Sequence, residues 1–490
     1  MSKQLILSTL VSLASSFAAA QDGADVLDAA EAAMGTSRLS SLRYEAGGTV
    51  KIFGAPHTPD GPWHSNGIVK QLVVDVQYDQ PAMRRTWELI PGIEGPPFGG
   101  NQTWLVNGDH AWDVRGNPPT PGVPLFEAFI GSDMAEWRNL DIWLTPPGFI
   151  KAAKANDVIV QHDGARTIVS FTTSDGRPFT GYLNAANLLE RVVTALANAV
   201  MGDMPITVSY ADYRRFGEIN YPTRITYITG EHPIYELGVL DVDPNGATPI
   251  ETMPALPPGP LCVGCARGDV VFNSERLGDG VWYLDAGDNF ASVVVEFKDY
   301  LVVFDAPHND DRSGPVIAEA HRLAPGKPIR YVVNSHWHFD HLGGARTFAA
   351  EGATVLVAER ARPTVAKWLN APRTLKPDDF VRSGRGEVRV EGIRDRMVLT
   401  DGVQTLELYV LHLEHSNPTV VGYLPREKVL VSADVQVLPR PGAAPPEQPA
   451  PDSLELYNQL LARRIDVQRI AGIHWGRSTW EDLLSMVAKE

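Results

Sequence analysis

Cysteine is scarce in this sequence. Cys262 and Cys265 are the only two in 490 residues, spaced C-x-x-C. A tetrahedral zinc site needs a second ligand pair, and none sits nearby. We therefore expect a local disulfide in an oxidising compartment, with unpaired thiols or a redox motif as the alternatives. Positive charge is also in deficit: 43 Lys and Arg stand against 59 Asp and Glu, for a net charge of −16. With no Lys/Arg run to outweigh that field, phosphate backbones are repelled, which argues against a nucleic-acid partner. Beyond the first residues no apolar run is long enough to span a bilayer, so no transmembrane segment is expected. Hydrophobic residues make up 44% and charged residues 21%, ordinary globular values that exclude wholesale disorder and fibrous repeats. The length predicts two or three domains.

Met1 to Gln21 has the composition of an address. Lys3 supplies a positive start, Leu5–Phe17 is a short apolar stretch, and Ala18-Ala19-Ala20 fits a small-residue cleavage site. The apolar run falls short of the ~20 residues a membrane anchor needs. Residues 1–20 are thus expected to be a secretory signal. The mature chain would be secreted, or periplasmic if the source is bacterial.

From residue 22 to 243 the pattern is a short alanine-rich helix (Ala24–Met34) followed by many strand-like runs: Leu42–Phe53, Val69–Val76, Met83–Leu89, Thr103–Val106, Val158–His162, Thr167–Thr173, Ile206–Tyr213, Thr223–Thr229 and Ile234–Val242. Turn pairs such as Asn107-Gly108, Asp163-Gly164 and Asp175-Gly176 separate runs, as a meandering antiparallel sheet requires. One helical patch, Gly148–Ala155, interrupts them. This half contains no His/Asp/Glu cluster at ligand spacing and no nucleophile elbow. The stretch Tyr210–Ile228 resembles the curved half-barrels that bind lipid or lipoprotein outside the bacterial inner membrane. The alternative is a packing partner that shapes the cleft of the other domain.

Residues 244–268 form a proline-rich seam that includes the C-x-x-C pair. The proline density of Pro244–Pro260 predicts a semi-rigid spacer. From residue 269 to 490 strands and helices alternate. Strands are expected at Gly280–Leu284, Ala291–Phe297, Leu301–Phe304, Ile329–Asn334, Thr354–Ala358, Thr405–Leu413, Val420–Tyr423, Val429–Ser432 and Arg469–Ile473. Helices are expected at Ser313–Leu323, Gly344–Ala350, Pro363–Leu369, Leu454–Leu461 and Trp480–Ala488. Two strand-rich halves with helices outside predict a layered α/β domain.

The chemistry sits on loops after those strands. His336-Trp337-His338-Phe339-Asp340-His341 directly follows the Ile329–Asn334 strand and places four metal-ligating side chains within six residues. Imidazole and carboxylate are the donors that a borderline divalent ion such as zinc prefers. Histidine is only 13 of 490 residues, and three fall in this hexapeptide, which sets a solvated polar loop aside. His415, Asp434 and His474 each follow a later strand. Any one alone reads as a capping Asp or a surface His, but together they complete a seven-ligand set for two metals.

Here the sequence resembles the metallo-β-lactamase superfamily, whose signature is H-x-H-x-D-H. The resemblance covers about Asp269 to Glu490, including an early hairpin with Asp305 at the end of its second strand. It implies a four-layer αββα sandwich, preceded in this chain by a mostly antiparallel β (α+β) domain. It also implies that His336, His338 and His415 bind a first metal, that Asp340, His341 and His474 bind a second, and that Asp434 bridges both, as in glyoxalase II-like hydrolases. Ala433 stands where the family usually has Gly, and Ser416-Asn417-Pro418 replaces a common Thr-x-Gly.

The expected cofactor is two zinc ions, with iron or manganese as alternatives. His338 stands where the diiron reductases of the family usually carry Glu. A pair of divalent ions lowers the pKa of a shared water toward ~7 and stabilises the developing oxyanion. Asp340 is the residue expected to orient that nucleophile and move its proton. The expected reaction is hydrolysis of an ester, thioester or lactone of a small molecule. Alternatives are a sulfatase or β-lactamase activity, a mononuclear iron dioxygenase, or a lipid-binding protein with a structural metal site. Around the centre, His308 reads as solvated, His412 as structural, Trp337 and Phe339 as walls of the site, and Arg477 as either an anion contact or the partner of a surface carboxylate.

Overall fold

The computed structural model describes residues 23–91, 100–115, 119–122, 134–255, 270–287, 290–437 and 448–487. The Met1–Gln21 segment, the Cys262–Cys265 pair and residues 438–447 lie outside the described residues.

The front of the chain builds one thirteen-stranded antiparallel sheet from two sequential meanders. They join where Ser41–Pro56, the first strand, pairs antiparallel with His232–Pro244, the last, in a register that sets Tyr44 opposite Val242. Alternation drives the pairing: Leu42, Tyr44 and Ala46 are buried, as are Leu72, Val74 and Val76 on the neighbouring strand. Residues 23–34 are helical, and helices Met134–Trp143 and Pro146–Lys154 contribute to the same apolar core. Pro146 and Pro147 occupy the opening positions of the second helix, and Thr145 caps it by accepting from the Gly148 N–H.

Strands His110–Arg115, Thr120–Gly122, Pro178–Leu183 and Leu189–Asn198, and the helix Met134–Trp143, extend beyond the sequence reading. LERVVTALAN (Leu189–Asn198) is rich in helix formers, yet it pairs on both sides within the sheet, so tertiary context overrides propensity. Met134–Trp143 hides its periodicity because Arg138 and Asp141 are buried in it. Arg138 donates to the carbonyls of Leu105 and Trp112 and pairs with Asp113 at 2.6 Å, and Asp141 pairs with Arg85 at 2.6 Å. The start of the seam is not a free spacer. Asn107 Nδ2 donates to the carbonyls of Ile250 and Glu251, the Thr248 N–H donates to Asp75, and Ile250 is buried beside Trp112.

The rest of the chain forms two facing sheets. The seven-stranded sheet runs in chain order from Asn273–Gly278 to Val390–Ile393; its first four strands pair antiparallel, and the last three join in parallel. The six-stranded sheet runs from Arg396–Thr400 to Arg477–Thr479 and is antiparallel except where Val429–Ser432 pairs with Arg469–Gly472. Val293, Val295 and Phe304 from one sheet meet Leu406, Leu408 and Val431 from the other to form the central core. Helices Asp310–Leu323, Ala345–Glu351 and Arg362–Leu369 cover the outer face of the first sheet, and Pro451–Arg463 and Trp480–Val487 cover the second. The order of layers is helix, sheet, sheet, helix.

The front sheet and this sandwich share one continuous apolar core. Phe53 and Trp63 meet Phe339 at ring-centroid distances of 5.1 and 6.0 Å, and Phe339 packs on Trp368 at 5.5 Å.

Candidate metal centre

Four strands of the sandwich, parallel and antiparallel, end at their carboxyl edges in loops that carry polar side chains, and those loops converge. Ile329–Val333 delivers the hexapeptide, Thr405–Leu411 leads to His415, Val429–Ser432 to Asp434, and Arg469–Gly472 to His474. Three donor groups result: His336, His338 and His415; His336, His341 and Asp434; and Asp340, His341 and His474. Within each, one donor atom per residue lies within 4.8 Å of the others. Asp434 stands between them. Its Oδ2 is 3.4 Å from His336 Nε2, 2.7 Å from His341 Nε2 and 3.7 Å from His415 Nε2, and its Oδ1 is 3.6 Å from His474 Nε2. His474 Nε2 is also 3.3 Å from Asp340 Oδ2. Seven side chains from four turns therefore share one small volume.

These atoms fit a divalent cation better than they fit each other. His336 Nε2, His341 Nε2, Asp340 Oδ1 and Asp434 Oδ2 are buried and, apart from the 2.7 Å approach of His341 Nε2 to Asp434 Oδ2, lack a hydrogen-bond partner. Buried polar atoms left unpaired are costly, so four of them converging point to a group that satisfies them together. Imidazole and carboxylate are a donor set suited to zinc or another first-row ion.

The backbone around the centre is held in unusual conformations. Asp305 (φ 63°), His308 (φ 54°), Asp434 (φ 55°) and Trp475 (φ 68°) all occupy the left-handed region. Such strain persists only where the surroundings enforce it, and it gathers at functional sites.

A polar shell aims the donors. His341 Nδ1 donates to Asp305 Oδ2 at 2.8 Å, which leaves Nε2 facing the centre. Ser335 donates its hydroxyl to the same oxygen at 2.8 Å and its N–H to Oδ1 at 2.6 Å. With its own proton committed there, the Ser335 hydroxyl accepts from His336 Nδ1 at 3.0 Å. One buried carboxylate thus orients two imidazoles, one directly and one through a serine. His415 is set by its backbone N–H, which donates to Asp452 Oδ1 at 2.8 Å. Ser335 was not singled out from sequence. Its signal is position alone, next to the first histidine.

Electrostatics divide the set. Burial, reinforced by neighbouring imidazoles, pushes His336 and His338 well below the usual histidine range, so both imidazoles are neutral. Burial would lower His341 too, but Asp340, Asp434 and Asp305 outweigh it and raise it well above. His474 is raised in the same way, against burial, by Asp434 and Asp340. Burial would raise the two carboxylates, but His341 and His474 hold Asp340 low, and His474, His341 and His415 hold Asp434 well below the ordinary range.

Several surrounding residues differ from expectation. His308 is buried rather than solvated: its ring lies 4.7 Å from Phe290, and its N–H donates to the Asp340 carbonyl. Trp337 and Phe339 point into the front domain instead of walling the site, because the chain turns into the short helix Phe339–Leu342 and no longer alternates as a strand does. His412 Nδ1 lies 2.7 Å from Asn417 Oδ1, as a structural residue. Arg477 pairs with Glu275 and lies over the Tyr283 ring, which commits it to the scaffold.

Residues 287–468 match the family model described as the metallo-beta-lactamase superfamily. The C-terminal domain is a metallo-beta-lactamase domain. A stretch of 172 residues is 25% identical to the linear primary-alkylsulfatase of Pseudomonas sp. (strain ATCC 19151), covering 29% of this chain and 32% of that protein. The chain thus spans about a third of the length of this curated relative. Among solved structures, a metallo-beta-lactamase from Pontibacter korlensis is 18% identical with a TM-score of 0.32 and covers 44% of this chain and 95% of that one. The metallo-beta-lactamase FIM-1 from Pseudomonas aeruginosa, in its mono-zinc form, is 17% identical with a TM-score of 0.30 and covers 44% of this chain and 92% of that one. The superfamily consists mostly of hydrolases, and the metallo-beta-lactamase domain here carries its His/Asp donors at the carboxyl ends of its strands.

Proposed function

We propose that this protein is an exported, zinc-dependent hydrolase of carboxylic esters, thioesters or lactones. The observation that carries the reading is the position of Asp434, within 4 Å of His336, His341, His415 and His474 at once. Under this reading His336, His338 and His415 would hold one zinc ion, Asp340, His341 and His474 would hold the other, and Asp434 would serve both. When bound, the ions would supply Lewis acidity and lower the pKa of a water toward ~7.

The remaining work falls to the chain. Asp340 orients the attacking water and accepts its proton. His415 is 29% exposed at its side chain while His336 and His341 are sealed, so the acyl group enters from the His415 side. The sealed side excludes bulk water and strengthens the field on the reacting carbonyl. Export rests on Lys3, the apolar stretch to Phe17 and Ala18-Ala19-Ala20.

A second reading, sulfate-ester hydrolysis, is favoured by the identity to an alkylsulfatase. Against it, Arg477, the cation three residues from His474, is tied to Glu275 and not free for a sulfate. A panel of chromogenic carboxylic esters, thioesters, lactones, alkyl sulfates and β-lactams, run with and without chelator, tests both. Chelator-sensitive turnover of the acyl substrates is expected. Turnover confined to sulfates favours the second reading. Turnover that survives both chelation and His338→Ala overturns the metal mechanism.

A further inference from the structure

The front domain carries no chemistry of its own in the sequence, yet one of its hairpins reaches the metal centre. Pro56 ends the strand Ser41–Pro56, and residues 57–62 turn back into Trp63–Gln77. The Pro56 carbonyl lies 3.0 Å from Trp337 Nε1 and 3.0 Å from His338 Nε2. A carbonyl oxygen only accepts, so both ring nitrogens donate and both of its lone pairs are used. His338 is thereby fixed in the tautomer with its proton on Nε2. Its Nδ1 lone pair is turned toward the centre, 3.1 Å from His415 Nε2. The next residue grips the opposite loop: His57 Nδ1 donates to the Glu414 carbonyl at 2.6 Å, and the His57 carbonyl accepts from the Asn417 N–H at 2.9 Å. His415 lies between those two anchor points.

We propose that the Pro56-His57 tip is a positioning element of the metal centre. It acts as a strap that sets the tautomer of His338 and fixes the His338 and His415 loops at one separation. The inference rests on the metal-ligand assignment above and adds a role for the front domain within it. Metal-bound imidazoles normally give their second N–H to an acceptor in their own fold; here that acceptor comes from a residue 282 positions away, in another domain. Asp340, His341 and His474 have no part in the strap, so the effect is confined to the group His336, His338 and His415.

The test uses the full chain with zinc and cobalt as probes: zinc affinity by competition with a chromogenic chelator, and the visible spectrum of the cobalt form. His57→Ala is expected to weaken the zinc step that is lost in His338→Ala by ~10- to 100-fold and to shift the cobalt bands. His57→Asn, whose side-chain amide can donate to the Glu414 carbonyl from a similar place, is expected to restore both. If His57→Ala does not fold, Trp337→Phe keeps a buried ring, removes one of the two donors to Pro56, and is expected to weaken the same step. Parent-like affinity and superimposable cobalt spectra in the folded variant overturn the strap. A parent that binds no zinc, or a His338→Ala variant that binds zinc as the parent does, overturns instead the metal-centre reading on which it rests.

Discussion

Asp305 Oδ2 and His341 Nδ1 stand 2.8 Å apart with both side chains fully buried. The same carboxylate holds Ser335, and through it His336, so one group fixes the aim of an imidazole in each half of the centre. Asp305→Asn tolerates the left-handed backbone at this position but gives up the charged acceptor. We expect metal affinity to fall by ~10- to 100-fold. A chelator competition curve that overlays the parent would show that the carboxylate does not orient the ligands.

Under the proposed function, Asp434 bridges the two halves of the centre. With one oxygen toward His336, His341 and His415 and the other toward His474, it is the side chain common to both halves. Asp434→Asn is expected to reduce bound zinc from two ions per chain to one or fewer and to lower turnover by more than ~100-fold, beyond the effect of an outer-shell change. Elemental analysis of the purified variant decides it: two ions retained would mean that Asp434 is not a bridge.

Much of this centre was legible because its residues lie directly after apolar strands. The runs Ile329–Val333 and Val429–Ser432 are short, buried and β-branched, so the polar residues following them fall at one sheet edge. The sandwich was legible for the same reason, from alternating apolar runs and helices. Illegible were the contacts that depend on long-range docking. Nothing local to Pro56 announces that its carbonyl meets Trp337 and His338, and nothing in LERVVTALAN announces a central strand. Buried charge was the other blind spot. Arg138 and Asp141 break the apolar rhythm of their helix, and only the opposing Asp113 and Arg85 explain why they are inside.

Docking of the two domains is expected to depend on acid. Asp378 receives Arg346 Nη2 at 2.9 Å and Arg373 Nε at 3.0 Å, and Arg373 Nη2 donates to the front-domain carbonyls of Ala199 and Val200. Burial would raise Asp378, but Arg346 and the Val381 N–H outweigh it and lower its pKa from 3.8. A depressed carboxylate stabilises the fold above its unfolded value, and that contribution is lost as pH falls through the folded value. Asp378→Asn should therefore cost about 1–3 kcal/mol at neutral pH. The gap between parent and variant should hold down to the unfolded-chain value of 3.8 and close below it. Urea midpoints across pH 3 to 7 measure this; a gap that stays constant to the lowest pH would exclude linkage through Asp378.

Gly54 tests how tightly the strap is seated. Its φ is +80°, a conformation that a side chain resists, and a Cβ added there would lie 2.9 Å from Phe339 Cγ and 3.1 Å from Phe339 Cβ. Those atoms are near the root of the side chain, and the ring is wedged between Phe53, Trp63 and Trp368, so Phe339 cannot swing aside. Gly54→Ala therefore combines backbone strain with overpacking and is expected to destabilise the protein by about 2–4 kcal/mol. Phe339 sits between His338 and Asp340, so the displaced ring should also loosen metal binding. Thermal melts of the zinc-loaded and chelated forms separate the two effects: strain lowers both transitions, whereas a disturbed centre narrows the gap between them. An unchanged melt in Gly54→Ala would show that the hairpin yields freely and that the interface does not confine Phe339.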